Sequence, residues 1–388
     1  MKVVIDAVGI RGHGAASVLL ELLFHLPLVR PNWQWEVMLL PRPQRLYDDP
    51  PSPPGMTLHS VPGGGKFWQR RSWLDKRLPE QLNRLGGDVL LSLANLVPSP
   101  APVPTVAVVH QTLPFFPQSI GRWAWGTRLR VAILKREIMR RAAGAQRVLV
   151  QTETMKRALA EAAGSLRGKL AVVPSGVRVA RGEVAVSPQM QHLAAGEGPH
   201  LLYLSHSGEH KNHIALVRAL PLIRETFPST KLWLTMDPKG TGDRRSNRFA
   251  SQILSVARQL KVEGSITWLG VLNVAEVQLA MKQADMLVFP SLAESFGLPL
   301  AEAIDAGLPV AAADRPYARD VCGDAAVYFD PLQPGHLAQV VVDTLANAGQ
   351  LKALATARET VRLRYRYSTI AEQIAAALEQ AAIDGRSI

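Results

Sequence analysis

Residues 286–314 read MLVFPSLAESFGLPLAEAIDAGLPVAAAD. An apolar run, 286–291, gives way to a short polar loop, LAESFG, and then to LPLAEAIDA, which has helical character. Pro299 falls near the first turn of that helix, where proline is favoured. Gly307 ends the helix, and Pro309 keeps the following segment extended into a second apolar run, PVAAAD. The unit is therefore strand, loop, helix, strand: a βαβ crossover, which requires parallel strands. Glu294 lies in the loop and Glu302 in the expected first turn of the helix. Two readings fit them. In one, Glu302 only complements the helix dipole. In the other, the amides around Gly297 and Leu298 seat phosphate oxygens, Gly297 lets a ligand approach the backbone, and the carboxylates accept hydrogen bonds from sugar or ribose hydroxyls.

The same alternation runs along the whole chain. Strands are predicted at 2–8, 35–40, 88–93, 105–110, 147–152 and 170–176, and again at 200–205, 231–236, 265–270, 286–291, 309–314 and 325–330. Amphipathic stretches such as 213–226 and 273–284 lie between them. The proline-dense stretch 41–55 is expected to be a surface loop. Residues 177–200 have weak periodicity with Gly, Pro and Ser, and are read as a linker. The expected fold is α/β, with two Rossmann-like domains whose parallel sheets face a central cleft. The predicted division is 1–178, 179–370 and a C-terminal helix, 371–388, that packs back on the first domain. In such sheets ligands bind at the carboxyl ends of the strands.

The chain has 388 residues and a net charge of +12. Residues 1–178 hold 24 Lys and Arg against 11 Asp and Glu; residues 179–388 hold 20 against 21. All the excess positive charge thus belongs to the first half, where it is either a solvated surface or a footprint for an anionic membrane, a nucleic acid or an acidic ligand. One cysteine, Cys322, cannot form an internal disulfide, which favours a reducing compartment. The N-terminus reads as a buried strand and not as a signal peptide, and no apolar run reaches the ~18 residues of a membrane span.

Other strand ends carry candidate chemistry. In LYLSHSGEHKNHIALVRAL (202–220) a helix is expected to begin near Asn212, a plausible N-cap, with Lys211 placed to meet a diphosphate or simply solvated. GIRGHGAAS (9–17) sets three glycines at a strand-to-helix turn, without the spacing of a dinucleotide fingerprint. His110 ends a buried strand in TVAVVHQTLPFF (105–116), either as a cleft residue or as a structural histidine. There is no Walker A loop, no H-E-x-x-H, no paired C-x-x-C, no G-x-S-x-G elbow and no D-x-D triplet.

Together these segments resemble the retaining glycosyltransferases of family 4, which have the GT-B fold. FPSLAESFGLPLAEAIDAGLPVAAAD followed by CGDAAVYFDP is similar to the family's most diagnostic segment, with its E-x7-E pair at Glu294 and Glu302. HKN (210–212), VPSGV (173–177), WLG (268–270), QADMLVFPS (283–291), VVHQTLPF and VLVQTETMK follow in the family's order. The resemblance implies transfer of a sugar from a nucleoside diphosphate sugar, in cell-surface glycan assembly, with no cofactor and no required metal. It implies that Glu302 holds the ribose hydroxyls, and that Glu294 contacts the donor sugar beside Ser295 and the amides of Phe296, Gly297 and Leu298. By the same resemblance Lys211 neutralises the diphosphate, with Ser205 nearby, and His110 touches the sugar. Gly12 and Gly14 line the donor and acceptor loop. The chain departs from the family in having no Arg in 203–210, where Ser205, Ser207 and His210 stand instead. Gln111 follows His110 where many members have Asp, and Asp320 stands where the family often has Glu.

The first-half charge then acquires a meaning, since the resemblance gives that half the acceptor. Residues 63–78 and 121–141 mix Trp with Arg and Lys, as suits an anionic lipid surface. The expectation is a cytoplasmic enzyme, peripheral on the inner face of the membrane, using a saccharide or lipid-linked acceptor. The plain alternative is an ordinary core helix with solvated bases. A non-catalytic GT-B partner subunit and a GT-B sugar-nucleotide epimerase are the competing functions. No nucleic-acid-binding module accompanies the charge.

Overall fold

The computed structural model describes residues 1–11, 13–42, 44–45, 47, 49–62, 67–116, 125–181, 185–187, 190, 193, 197–239 and 244–386. The chain divides into two compact units: Met1–Pro117 with Trp123–Gly176 and Arg364–Ile388, and Gln118–Arg122 with Val177–Leu363. The break falls at Gly176, close to the expected 178. The return to the first unit comes at Arg364, before the expected 371, because the final helix starts at Tyr367.

The first unit is built on a parallel sheet of β1 (Lys2–Asp6), β2 (Gln34–Leu39), β3 (Met56–Ser60), β4 (Val89–Ser92), β5 (Thr105–Val108), β6 (Arg147–Val150) and β7 (Leu170–Val172). Their order is β3-β2-β1-β4-β5-β6-β7. β3 was not expected from the sequence. It is an edge strand, and four of its five residues, Thr57 to Ser60, lie half-buried or exposed, so it lacks the apolar run that marks its neighbours. The interior strands β4 and β5 are buried at every position.

The helix His13–Val29 covers this sheet together with the C-terminal helix Tyr367–Arg386. Leu19, Leu22, Leu23 and Leu26 share one core with Ile370, Ile374, Leu378 and Ala381. Arg30 ties the two helices at the rim, donating to Glu372 at 2.8 Å and to Glu379 at 3.0 Å.

The second unit repeats the winding. Its strands are β8 (His200–Tyr203), β9 (Lys231–Leu234), β10 (Ile266–Trp268), β11 (Met286–Phe289), β12 (Val310–Ala313) and β13 (Val327–Phe329). They run parallel in the order β10-β9-β8-β11-β12-β13. The chain winds outward in one direction from β8 and in the other from β11. The two strands lie side by side, with Met286 opposite Leu201 and Leu287 opposite Leu202. Helices on both faces connect them. The loops that follow β8 and β11 must therefore diverge to opposite faces of the sheet, leaving a crevice at their carboxyl ends.

Candidate active site

That crevice brings Lys211 and Glu294 together, although 83 residues separate them in sequence. After β8 the chain makes a short 3₁₀ turn, Glu209–Lys211, before the helix His213–Thr226. After β11 it runs through residues 290–297 to the helix Leu298–Ala306. Lys211 Nζ lies 2.6 Å from Glu294 Oε1. The pair is largely enclosed, the lysine and glutamate side chains being 11% and 14% exposed. Ser291 Oγ donates to the same carboxylate oxygen at 2.7 Å. Burial disfavours the Glu294 charge, but Lys211, His210 and these hydrogen bonds outweigh it and hold the carboxyl below its ordinary pKa.

The loops are fixed from beneath. Tyr203 Oη donates to the Lys211 carbonyl at 2.6 Å, and Tyr317 Oη donates to the Ser291 carbonyl at 2.7 Å. The Leu292 amide donates to the His210 carbonyl at 2.7 Å, joining the loops directly. Asn212 occupies the position before its helix but does not cap it with its side chain. It adopts a left-handed conformation, φ 56°, and its amide instead donates to the carbonyls of Pro290 and Pro331 at 3.2 and 2.8 Å.

Glu302 is the fifth residue of Leu298–Ala306 and so lies in its second turn, not the first. The dipole reading weakens accordingly, because that effect fades beyond the first turn. Glu302 is 5% exposed and accepts a hydrogen bond from Arg178 Nε at 2.5 Å. Its Oε2 is buried with no hydrogen-bond partner among the described residues. Gly297 precedes the helix with φ +88°, and a Cβ there would come within 3.1 Å of Leu300 Cδ1. Phe296 is buried, while Ser295 and Leu298 are half-buried beside the Glu294 loop. Ser205 is occupied locally: its amide donates to Thr235 Oγ1 at 2.9 Å and its hydroxyl to the His206 carbonyl at 2.9 Å.

His110, Gly12 and Gly14 belong to the first unit. Gly12 lies outside the described residues. Gly14 falls within the helix His13–Val29 and not in a loop. The close approach in that turn belongs to Gly9, where a Cβ would sit 2.4 Å from Ala94 Cβ. His110 follows β5, and its amide donates to Asn95 Oδ1 at 2.6 Å, a bond shared with the Gln111 amide at 2.9 Å. Burial lowers its pKa to about 4, with hydrogen bonding to the Gln151 side chain acting in the other direction. The ring is neutral across physiological pH. It lines a small cavity with Val108, Leu149, Gln151 and Tyr367.

Sequence reasoning thus missed Arg178, Ser291, Tyr317 and Asn95. Arg178 stands directly after VPSGV, and Ser291 ends the quoted QADMLVFPS segment, whereas Tyr317 and Asn95 had no such signal. Among the described residues, no group of three or more His, Cys, Asp and Glu is placed to hold a metal ion.

Two stability measurements follow. Removing one member of an enclosed ion pair leaves the other charge uncompensated, at about 3–5 kcal/mol. Lys211→Met and Glu294→Gln should each lower urea stability on that scale, whereas the double variant should lose clearly less than their sum; strict additivity would deny the coupling. His213 is fully buried, with neither ring nitrogen bonded, and packs on Tyr203 at 4.8 Å. Burial, then the charges of Lys211, His206 and His210, lower its pKa to about 3. The unfolded chain, with an ordinary histidine near 6.5, therefore binds the proton first, and stability falls as pH drops from about 6.5 toward 3. His213→Phe should make the urea midpoint fall less steeply between pH 6.5 and 4. An unchanged slope would refute this.

With this geometry in place, the relatives can be compared. A family model described as Glycosyltransferase Family 4 matches residues 14–181, and one described as Glycosyl transferases group 1 matches residues 189–360. A phosphatidyl-myo-inositol mannosyltransferase of Mycobacterium leprae is 31% identical over 229 residues, covering 56% of this chain and 55% of that protein. A D-inositol 3-phosphate glycosyltransferase of Nocardia farcinica is 30% identical over 177 residues, covering 44% and 38%. The chain thus aligns with about half or less of the length of these curated relatives. Among solved structures, sucrose-phosphate synthase from Thermosynechococcus elongatus superposes with a TM-score of 0.75 at 16% identity over 98% of both chains. Anabaena HepE in complex with UDP and glucose does so with 0.71 at 18% identity, over 98% of this chain and 100% of that one. Two family models that divide the chain between them, on two parallel sheets wound alike, make this protein a member of glycosyltransferase family 4, with the GT-B fold.

Proposed function

We propose that this protein transfers a sugar from a nucleoside diphosphate sugar to a saccharide or lipid-linked acceptor, with retention of configuration and without a required metal. The observation that carries this reading is the constellation at the β8–β11 crevice: Lys211, Glu294 and Glu302 around the start of one helix. Glu302 has an unsatisfied oxygen suited to a ribose hydroxyl, and Glu294 is placed for the hydroxyls of the donor sugar. HepE, of the same fold, is described with UDP and glucose, and the mycobacterial relative is named for a lipid acceptor.

In this mechanism the anomeric carbon departs from the diphosphate through an oxocarbenium-like state, and charge builds on the leaving phosphate. Lys211 and the helix amides near Gly297 meet that charge. Glu294 holds the ammonium in place beforehand, so little reorganisation remains for the reaction step. A charge at 4 Å is worth about 4 kcal/mol at an effective dielectric of 20. The departing phosphate takes the acceptor proton, so no dedicated base is needed.

Thermal shift with UDP-, GDP- and dTDP-sugars, followed by transfer assays with EDTA present, tests the donor reading. At least one donor should raise the melting temperature of the wild type and lose that effect in Glu302→Ala, and the product should keep the donor's anomeric configuration by NMR. A wild type stabilised by none of them, matched by the variant, would sink the reading.

The acceptor side is proposed to be an anionic membrane surface. The helix Trp125–Ala142 buries Ile138, Arg141 and Ala142 near its end. Its earlier turns expose Trp125, Leu129 and Ile133 at 78%, 45% and 45%. These three follow at intervals of four and so share one face, flanked by exposed Arg128, Arg130, Arg136 and Arg140. Its last turn, together with Leu134 and Met139 packed beside the same core, matches the core-helix alternative, and the exposed stripe does not. An apolar stripe bordered by cations suits an anionic bilayer interface. Vesicles containing phosphatidylglycerol should co-sediment the protein, and Trp125→Ala/Leu129→Ala should weaken this. Equal binding to neutral vesicles would overturn the electrostatic part.

A further inference from the structure

The fold leaves Glu302 half satisfied. Oε1 accepts from Arg178 Nε at 2.5 Å, while Oε2 is buried and meets no donor among the described residues. A buried acceptor left in this way carries a desolvation cost, which a bound donor group would relieve. Arg178 is itself held. Its side chain is 19% exposed, and its backbone carbonyl accepts from Gln278 Nε2 at 3.2 Å. It reaches Glu302 from 124 residues away, on the segment that opens the second unit.

We propose that Arg178 is a positioning residue that fixes the Glu302 carboxylate, so that Oε2 is presented to the neighbouring hydroxyls of a ribose and the site selects ribonucleotide over 2′-deoxyribonucleotide donors. This rests on the donor reading above and names the group that sharpens it. A carboxylate free to rotate can offer either oxygen in many directions. One whose Oε1 is pinned by a charge-assisted hydrogen bond offers the other in a single direction. Oε2 has two lone pairs and can accept from two adjacent hydroxyls of a diol. A ligand lacking one hydroxyl leaves part of that demand unmet, and sites built to bond a hydroxyl discriminate strongly against its loss. Lysine cannot replace Arg178 fully, because its point charge lacks the fixed direction of a guanidinium N–H.

Isothermal titration with UDP, 2′-deoxy-UDP, GDP and 2′-deoxy-GDP tests this. For the base that binds, the wild type should prefer the ribonucleotide at least about tenfold, equivalent to about 1.4 kcal/mol. Arg178→Gln should weaken ribonucleotide binding by about tenfold, leave the deoxy form nearly unchanged and bring the ratio close to one. Arg178→Lys should lie between. A purely structural role would weaken both forms alike and keep the ratio, which overturns the proposal. A wild-type ratio near one overturns it without any variant, while leaving the donor reading intact. Should Arg178→Gln not fold, the wild-type ratio and the lysine variant decide. Failure of every ribonucleotide to bind the wild type overturns this proposal, and the donor reading falls with it only if dTDP-sugars also leave the wild type unstabilised.

Discussion

A parallel sheet that winds in two directions must leave a crevice where the direction changes, and in the second unit this falls between β8 and β11. Every other feature of the candidate site depends on that constraint. Two strands buried on both faces keep their interior apolar, with His200 and Tyr203 only at the two ends of β8. The polar residues therefore collect in the loops beyond their carboxyl ends, where the first helical turns leave amides unpaired. Lys211 arrives from one loop and Glu294 from the other. Tyr203 and Tyr317 then clamp the loop carbonyls from below, so that the meeting point is rigid.

The electrostatics of the crevice combine one enclosed cation with two carboxylates. A lysine enclosed with a single carboxylate keeps its cation oriented without a large excess of charge. Glu302 lies one helical turn further, tied to Arg178 on one oxygen only. Between them runs the start of a helix, preceded by Gly297 in a conformation that L side chains adopt only under strain. Neutral His213 beneath Lys211 adds packing without adding charge. One cation and two carboxylates thus stand within one crevice, each fixed by a partner from another loop or segment.

The first unit uses the same winding for a different surface. The His110 backbone amide is held by Asn95 Oδ1, and the helix Trp125–Ala142 sets exposed Trp125, Leu129 and Ile133 among exposed arginines. A helix that buried all of its apolar residues would gain more stability, and leaving Trp125, Leu129 and Ile133 exposed forgoes part of that gain.

Much of this was legible beforehand. Uninterrupted apolar runs such as MLVF and VLLS announce parallel strands because both of their faces are buried. The Pro299–Gly307 frame announces a helix because local sterics act over a few residues, and the E-x7-E spacing marked both glutamates. β3 escaped because an edge strand buries too little to show a pattern. Glu302 falls in the second turn and not the first, because it is the fifth residue of a helix that begins at Leu298. Asn212 kept its position but not its expected role, since its amide found carbonyls in distant loops. By itself the sequence determined the strands, the helices and the identity of the charged groups, all of which follow from short-range periodicity and residue chemistry. Only the tertiary structure decided who pairs with whom: Lys211 with Glu294 and Arg178 with Glu302 meet because strand order, and not sequence distance, sets which loops become neighbours.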